Sequence, residues 1–88
     1  MTTPAITLYG KPRCVQCDAT ERKFKKEGVA YTKVDVSQDE LALDYIKGLG
    51  YASAPVVVVW SAFEAESHWS GYDVAQIETH ITKRSVAA

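Results

Sequence analysis

A chain of 88 residues is long enough for one hydrophobic core and too short for two, so one domain spanning residues 1–88 is expected. Apolar residues make up 47% of it and charged residues 24%, which suits a packed core and excludes a highly charged, disordered chain. The formal net charge of −1 excludes the broad basic surface that nucleic-acid binding needs. The charge is nevertheless uneven: seven basic and three acidic residues lie up to Lys33, three basic and eight acidic ones after it.

Met1-Thr2-Thr3-Pro4 lacks the basic start and apolar stretch of a secretion signal, and no apolar run approaches the ~20 residues that span a bilayer. A cytoplasmic protein that works without a membrane is therefore expected. Ala5-Ile6-Thr7-Leu8-Tyr9 is β-rich and closed by Gly10-Lys11-Pro12, which predicts a first strand running into a loop. Val15 to Glu27 contains neither Gly nor Pro and stops at Gly28, which predicts a helix with Cys17, Thr20 and Phe24 on one face.

Tyr31 to Val36 reads as a second strand. Ser37-Gln38-Asp39-Glu40 has the capping-box form, so a second helix is expected from Ser37, with Leu41, Ala42, Tyr45, Ile46 and Leu49 at helical spacing and Gly48 and Gly50 at its end. Val56-Val57-Val58-Val59-Trp60 is an unbroken apolar run of the kind found in strands covered on both faces. Ser61 to Ala65 is expected to turn, and Glu66-Ser67-His68-Trp69 to return as a fourth strand ended by Gly71. Asp73 is placed to cap a last helix that buries Val74, Ile77 and Ile81, with Lys83 and Arg84 near its C-terminus and Ser85 to Ala88 fraying. The order β-α-β-α-β-β-α predicts an α/β fold, a four-stranded mixed sheet flanked by three helices. Two crossovers and one hairpin would make the first three strands parallel and the fourth antiparallel.

The chemistry of the chain centres on Cys14-Val15-Gln16-Cys17. Three positions apart at a helix start, the cysteines fall one turn from each other, Cys14 at the exposed N-terminus and Cys17 further in. As a structural staple the pair is poor, because closing so short a ring restrains the unfolded chain by only about 2 kcal/mol, against about 3 for fifteen residues, and a reducing cytosol opens such bonds. As a metal site it lacks its other half: there is no second cysteine pair, and His68 and His80 are twelve apart where a zinc-finger helix needs about four to six. A redox pair on a strand–loop–helix unit remains the favoured reading. Thiolate chemistry is served there by the helix N-terminus and by positive potential from Lys11 and Arg13, which makes Cys14 the expected nucleophile and Cys17 the resolving thiol.

Cys14-Val15-Gln16-Cys17, with Ala54-Pro55-Val56-Val57 and His68-Trp69-Ser70-Gly71, resembles the NrdH-redoxins, glutaredoxin-like proteins of the thioredoxin-fold superfamily. The resemblance implies a thioredoxin/glutaredoxin-like fold and a redox-active Cys14–Cys17 disulfide with no bound cofactor or metal. It implies NADPH as an indirect electron source through thioredoxin reductase, and the large subunit of class Ib ribonucleotide reductase as acceptor. It also implies a cis peptide before Pro55, which would set the Ala54 backbone beside the cysteines to pair with an extended substrate segment. Lys11, Arg13, Val15, Gln16, Ala54, Pro55, Trp69, Ser70 and Gly71 are the candidate substrate-facing residues, with Trp69 expected on the rim and the protein expected to be a monomer.

The chain departs from the NrdH pattern at Tyr72-Asp73-Val74-Ala75, where relatives carry Phe-Arg-Pro-Asp, and in a longer Trp60 to Ser67 segment that suggests an extended hairpin. Two other functions compete. A glutaredoxin using glutathione or another small thiol is suggested by Ser70-Gly71-Tyr72-Asp73, but Val15-Gln16 replaces the usual Pro-Tyr, and the acidic Ser37 to Asp44 stretch leaves only Lys47 for the tripeptide's carboxylate. A binding module on a borrowed fold is the third reading, since fold alone does not decide function.

Overall fold

The computed structural model describes residues 5–60 and 66–82. They form β1 (Ala5–Gly10), α1 (Val15–Lys26), β2 (Thr32–Asp35), α2 (Glu40–Gly48), β3 (Val56–Trp60), β4 (Ser67–Ser70) and α3 (Val74–Ile77), which continues as a π-helical turn over Glu78–Thr82. The strands make one mixed sheet in the order β2-β1-β3-β4. The expected turn at Ser61 to Ala65, the hairpin extension it belongs to, the placement of Lys83 and Arg84 and the fraying of Ser85 to Ala88 lie outside the described residues.

The strand directions differ from expectation. β2 is parallel to β1, but β3 runs antiparallel to β1, with Tyr9 opposite Val56, and β4 is antiparallel to β3. The chain leaves β2 at the end of the sheet where β1 finishes, since Gly10 lies opposite Asp35. The nine residues of α2 span only ~14 Å, and the loop from Leu49 to Ala54 brings the chain back to that same end. The β2–α2–β3 connection is therefore an excursion out and back rather than a parallel crossover.

Alternation along the strands supplies the two sides of the core. Val57 and Val59 join Ile6, Leu8 and Trp69 beneath Phe24 of α1 and Ile77 and Ile81. Val56 and Val58 face the other way, against Val36 and against Ala42 and Ile46 of α2. The valine run is thus buried on both faces, as its unbroken apolar character requires.

Local chemistry explains the helix boundaries. α1 buries Cys17, Thr20 and Phe24, and the Thr20 hydroxyl, enclosed among apolar groups, donates to the Gln16 carbonyl at 2.8 Å. α2 starts later than the capping box suggested: Asp39, not Ser37, is its N-cap and accepts from Ala42 N at 3.0 Å. The Ser37 hydroxyl and amide both turn back to Asp35 Oδ1, at 2.6 and 2.9 Å, a local turn that competes with capping. The buried face also differs from expectation: Ala42 and Ile46 pack on Val36, Val56 and Val58 while Leu41 is 81% exposed and Tyr45 faces solvent in part.

Asp73 caps α3 as expected, accepting from Gln76 N at 3.1 Å. Ile77 and Ile81 are buried, but Val74, in the first turn, is exposed. Trp69 is also corrected: it is 5% exposed and belongs to the core under α1 and α3, not to the rim. Its pairing with Val57 determines this, because paired residues share a sheet face, and its ring stacks on His80 at 5.8 Å. Truncating so large a buried ring typically costs about 3 to 5 kcal/mol, so Trp69→Ala should lose that much in urea denaturation. Trp69→Phe should lose less, since the indole N–H has no hydrogen-bond partner among the described residues.

A polar cluster ties α1 to β2. Tyr31 packs on Phe24, with ring centroids 5.0 Å apart, and donates its hydroxyl to Glu21 at 2.6 Å, while Lys33 Nζ lies 2.8 Å from the same carboxylate. The Lys33 hydrogen bond, then that of Tyr31, holds the Glu21 carboxyl below its ordinary 4.5. Burial, then the Glu21 carboxylate, pushes the Tyr31 phenol up to about 12. A raised phenol favours the neutral side chain in the fold, so its contribution is complete below pH 10 and is lost as pH rises from 10 to about 12. Glu21 contributes above pH 4.5 and loses its contribution as pH falls below that. Stability measured against pH should fall on the alkaline side, and Tyr31→Phe should make that fall shallower. Tyr45, also pushed up to about 12, should keep part of the slope.

Candidate functional site

The end of the sheet at which β1 finishes collects three separate chain segments. From Gly10 the backbone turns through Lys11, Pro12 and Arg13, the last in the left-handed region at φ 58°, and delivers Cys14 as the N-cap of α1. Cys14 and Cys17 are joined in a disulfide with a Cα–Cα distance of 5.1 Å. Cys14 Sγ also accepts the backbone N–H of Cys17 at 3.1 Å, doing for the helix start what a serine oxygen would do. Sulfur at this position meets both the free amide and the positive end of the helix dipole.

Cys14 was expected to be exposed, but with the disulfide closed it is 7% exposed, against 1% for Cys17. The order from outer to inner cysteine is the one that a single helical turn imposes. Gly10 lies against the inner sulfur, where a Cβ would sit 3.5 Å from Cys17 Sγ. Val15, next along, is 80% exposed, and Lys11 and Arg13 are exposed on the approach to the cysteines.

The second segment is the start of β3. The Ala54–Pro55 peptide is cis, Pro55 is buried, and the pairing of Tyr9 with Val56 sets it at the cysteine end of the sheet. The third segment leaves β4, where Ser70 lies opposite Val56. Gly71 N donates to the Pro55 carbonyl at 2.9 Å, and Tyr72 N donates to Gln16 Oε1 at 2.9 Å. One amide side chain of the cysteine motif thus fastens the first turn of α1 to the corner before α3.

Of the candidate residues, the fold gathers Cys14, Gln16, Cys17, Ala54, Pro55, Ser70 and Gly71 at this end, leaves Lys11, Arg13 and Val15 on its exposed edge, and sends Trp69 into the core. Tyr72 stands in the sequence within a departure from the family pattern and within the glutaredoxin-like Ser70-Gly71-Tyr72-Asp73 segment, but not as a tie to the cysteine motif, yet its amide holds the corner to Gln16. These partners are 56 positions apart, so no local spacing announces them. Among the described residues no three His, Cys, Asp or Glu side chains cluster as a metal site, and no described helix is long and apolar enough to cross a membrane.

Gly71 adopts φ +80°, and a Cβ there would lie 3.0 Å from Gln16 Oε1. Gly71→Ala should therefore cost about 1 to 2 kcal/mol from the left-handed backbone alone. Gln16→Ala, which removes one partly exposed hydrogen bond, should cost about 0.5 to 1 kcal/mol. Thermal denaturation of both variants gives that order, with Gly71→Ala the less stable.

A family model for glutaredoxin matches residues 6–63. The glutaredoxin-like protein NrdH of Salmonella typhimurium is 32% identical over 68 residues, which cover 77% of this chain and 78% of that protein. The gene 56 protein of Mycobacterium phage L5 is 37% identical over 54 residues, 60% of this chain and 52% of the phage protein. In three dimensions the chain resembles NrdH-redoxin from Escherichia coli, a glutaredoxin-like protein with a thioredoxin-like activity profile. The TM-score is 0.74 at 28% identity, and the match covers 85% of this chain and 92% of that one.

Proposed function

Starting from a chain that belongs to the glutaredoxin family, in its NrdH-like branch, we propose that residues 1–88 act as one monomeric, cytoplasmic electron-carrying domain. It takes reducing equivalents from thioredoxin reductase, charged by NADPH, and passes them to the large subunit of class Ib ribonucleotide reductase. The observation that carries this reading is the Cys14–Cys17 disulfide at the start of α1, with Cys14 Sγ receiving the Cys17 amide.

Reduced to two thiols, Cys14 is the sulfur that the helix start stabilises as a thiolate. It attacks one sulfur of the acceptor's disulfide, forming a Cys14–acceptor bond as the acceptor's other sulfur leaves and takes a proton. Cys17, deprotonated, then attacks Cys14 Sγ, re-forming the Cys14–Cys17 disulfide and releasing the second acceptor thiolate, which is protonated in turn. Two electrons have moved to the acceptor, and thioredoxin reductase returns two to the carrier by the reverse exchange.

The surroundings have consistent roles in this scheme. Lys11 and Arg13 add positive potential on the approach to Cys14. The Ala54 backbone pairs with an extended acceptor segment beside Pro55, which presents no N–H of its own. Ser70 and Gly71 complete the facing edge, and exposed Val15 offers apolar contact. Gln16 Oε1, engaged by Tyr72 N, acts by positioning that edge.

Cys17→Ser should trap a mixed disulfide through Cys14 that mass spectrometry detects, whereas Cys14→Ser should trap none. NADPH consumption should require thioredoxin reductase and the wild-type carrier together with a disulfide acceptor. Turnover with glutathione and its reductase, and none with thioredoxin reductase, would assign the chain instead to the small-thiol-dependent glutaredoxins. Turnover with neither would favour a binding module.

A further inference from the structure

Beyond Val15, helix α1 has a second side that the redox chemistry does not use. Val15, Ala19, Arg22, Lys23 and Lys26 follow one another at helical spacing, so they form a stripe that begins beside Cys14 and runs down the outside of the helix. Across from it stand Tyr72 and Val74, 40% and 38% exposed, at the corner fastened by Gln16. Between them lies a groove of about 550 Å³ lined by Ala19, Arg22, Lys23, Lys26, Tyr72 and Val74. Its far side is formed by Tyr72 and Val74, and its helix side carries three cations.

These cations are not equivalent. Lys23 Nζ is answered by Glu27 at 3.3 Å and by Glu78 at 4.0 Å. Arg22 and Lys26 form no ion pair with any described residue. Glu21 of the same helix is turned away to Lys33, at 2.8 Å. Among the described residues the groove therefore keeps two cations without an ion-pair partner, facing the aromatic and aliphatic side chains of Tyr72 and Val74.

We propose that this groove docks an extended, acidic segment of the disulfide-bearing acceptor, with an apolar side chain seated on Tyr72 and Val74 and carboxylates at Arg22 and Lys26. The proposal rests on the electron-carrier reading and adds to it a rule for choosing acceptors. At about 1.5 Å per helical residue, Arg22 and Lys26 lie roughly 12 and 18 Å along the axis from Cys14. An extended peptide covers about 3.3 Å per residue. The favoured acceptor thus carries acidic residues about four to six positions from the cysteine that Cys14 attacks. Charge of the opposite sign along this track speeds encounter and lowers KM without touching the sulfur chemistry.

The test uses two synthetic disulfide peptides that differ only in carrying Glu or Gln four to six positions from the attacked cysteine, together with a small uncharged disulfide. With the dithiol form of the protein, the Glu peptide should react about three- to tenfold faster than the Gln peptide at low ionic strength, the gain expected of two exposed charge pairs. High salt and the double variant Arg22→Gln/Lys26→Gln should both abolish the difference, while the rate with the uncharged disulfide stays unchanged. Equal rates for the two peptides with wild-type protein, or a preference that survives in the variant, would overturn the proposal.

A serine-for-cysteine copy of the Glu peptide, titrated against the disulfide form by fluorescence anisotropy, reads docking without electron transfer. It should bind wild type more tightly than the variant by the same factor, and equal binding counts against the groove. If no disulfide is reduced at all, the carrier reading fails while the anisotropy result still judges the groove. Self-association of wild type, lost in the variant on gel filtration and unaccompanied by peptide binding, would give the groove to a second copy and overturn the acceptor assignment.

Discussion

The antiparallel pairing of β3 with β1 is the constraint on which the reactive end of the molecule depends. Because Tyr9 lies opposite Val56 and Val56 opposite Ser70, the end of β1, the start of β3 and the end of β4 meet at one end of the sheet. The loop carrying the cysteines, the Ala54–Pro55 peptide and the Ser70–Gly71 corner are therefore neighbours although each comes from a different part of the chain. Two backbone amides then secure the arrangement: Gly71 N to the Pro55 carbonyl and Tyr72 N to Gln16 Oε1. Had β3 run parallel to β1, its start would lie at the opposite end, and the proline would be a strand length from the sulfur.

The two faces of the sheet divide the work. Under α1 and α3, Phe24, Trp69, Ile77 and Ile81 pack with Leu8 and Val57. Cys17 and Thr20 are buried on the same side of α1 as Phe24, so the inner sulfur belongs to a helix anchored along its length. The Glu21, Tyr31 and Lys33 cluster holds the far part of that helix to β2. A four-residue disulfide ring restrains the unfolded chain little. The site therefore owes its rigidity to apolar packing and these polar ties rather than to the bond it makes and breaks. That separation suits a carrier whose disulfide must open in every cycle.

The opposite side of α1 is free of that duty. Its outer stripe carries Arg22, Lys23 and Lys26 next to a corner where Tyr72 and Val74 are exposed. Buried on one side and cationic on the other, the same helix presents the reactive sulfur at its tip and a charged track along its flank.

Much was legible in the sequence because it depended on neighbours a few positions apart. Strand and helix identities, the Asp73 cap, the stop at Gly28, the doubly buried valine run and the pairing of Cys14 with Cys17 all follow from local spacing and chemistry. The cis Ala54–Pro55 peptide came from resemblance and not from local physics, since an X–Pro bond takes the cis form only rarely without a tertiary reason. What required the tertiary structure was register and direction. Ser37 could have capped α2, but Asp35 captured its hydroxyl and Asp39 took its place, and packing on the sheet chose Ala42 and Ile46 over Leu41 for the buried face. Trp69 could have stood on the rim, but its pairing with Val57 turned it inward. The direction of β3 depended on how far α2 and its following loop carry the chain, and the Gln16–Tyr72 bond joins residues that only folding brings together. Local sequence determines which elements form and which atoms are reactive. Which faces meet, and so what surrounds those atoms, is decided by the free energy of packing distant segments, which no short window of sequence contains.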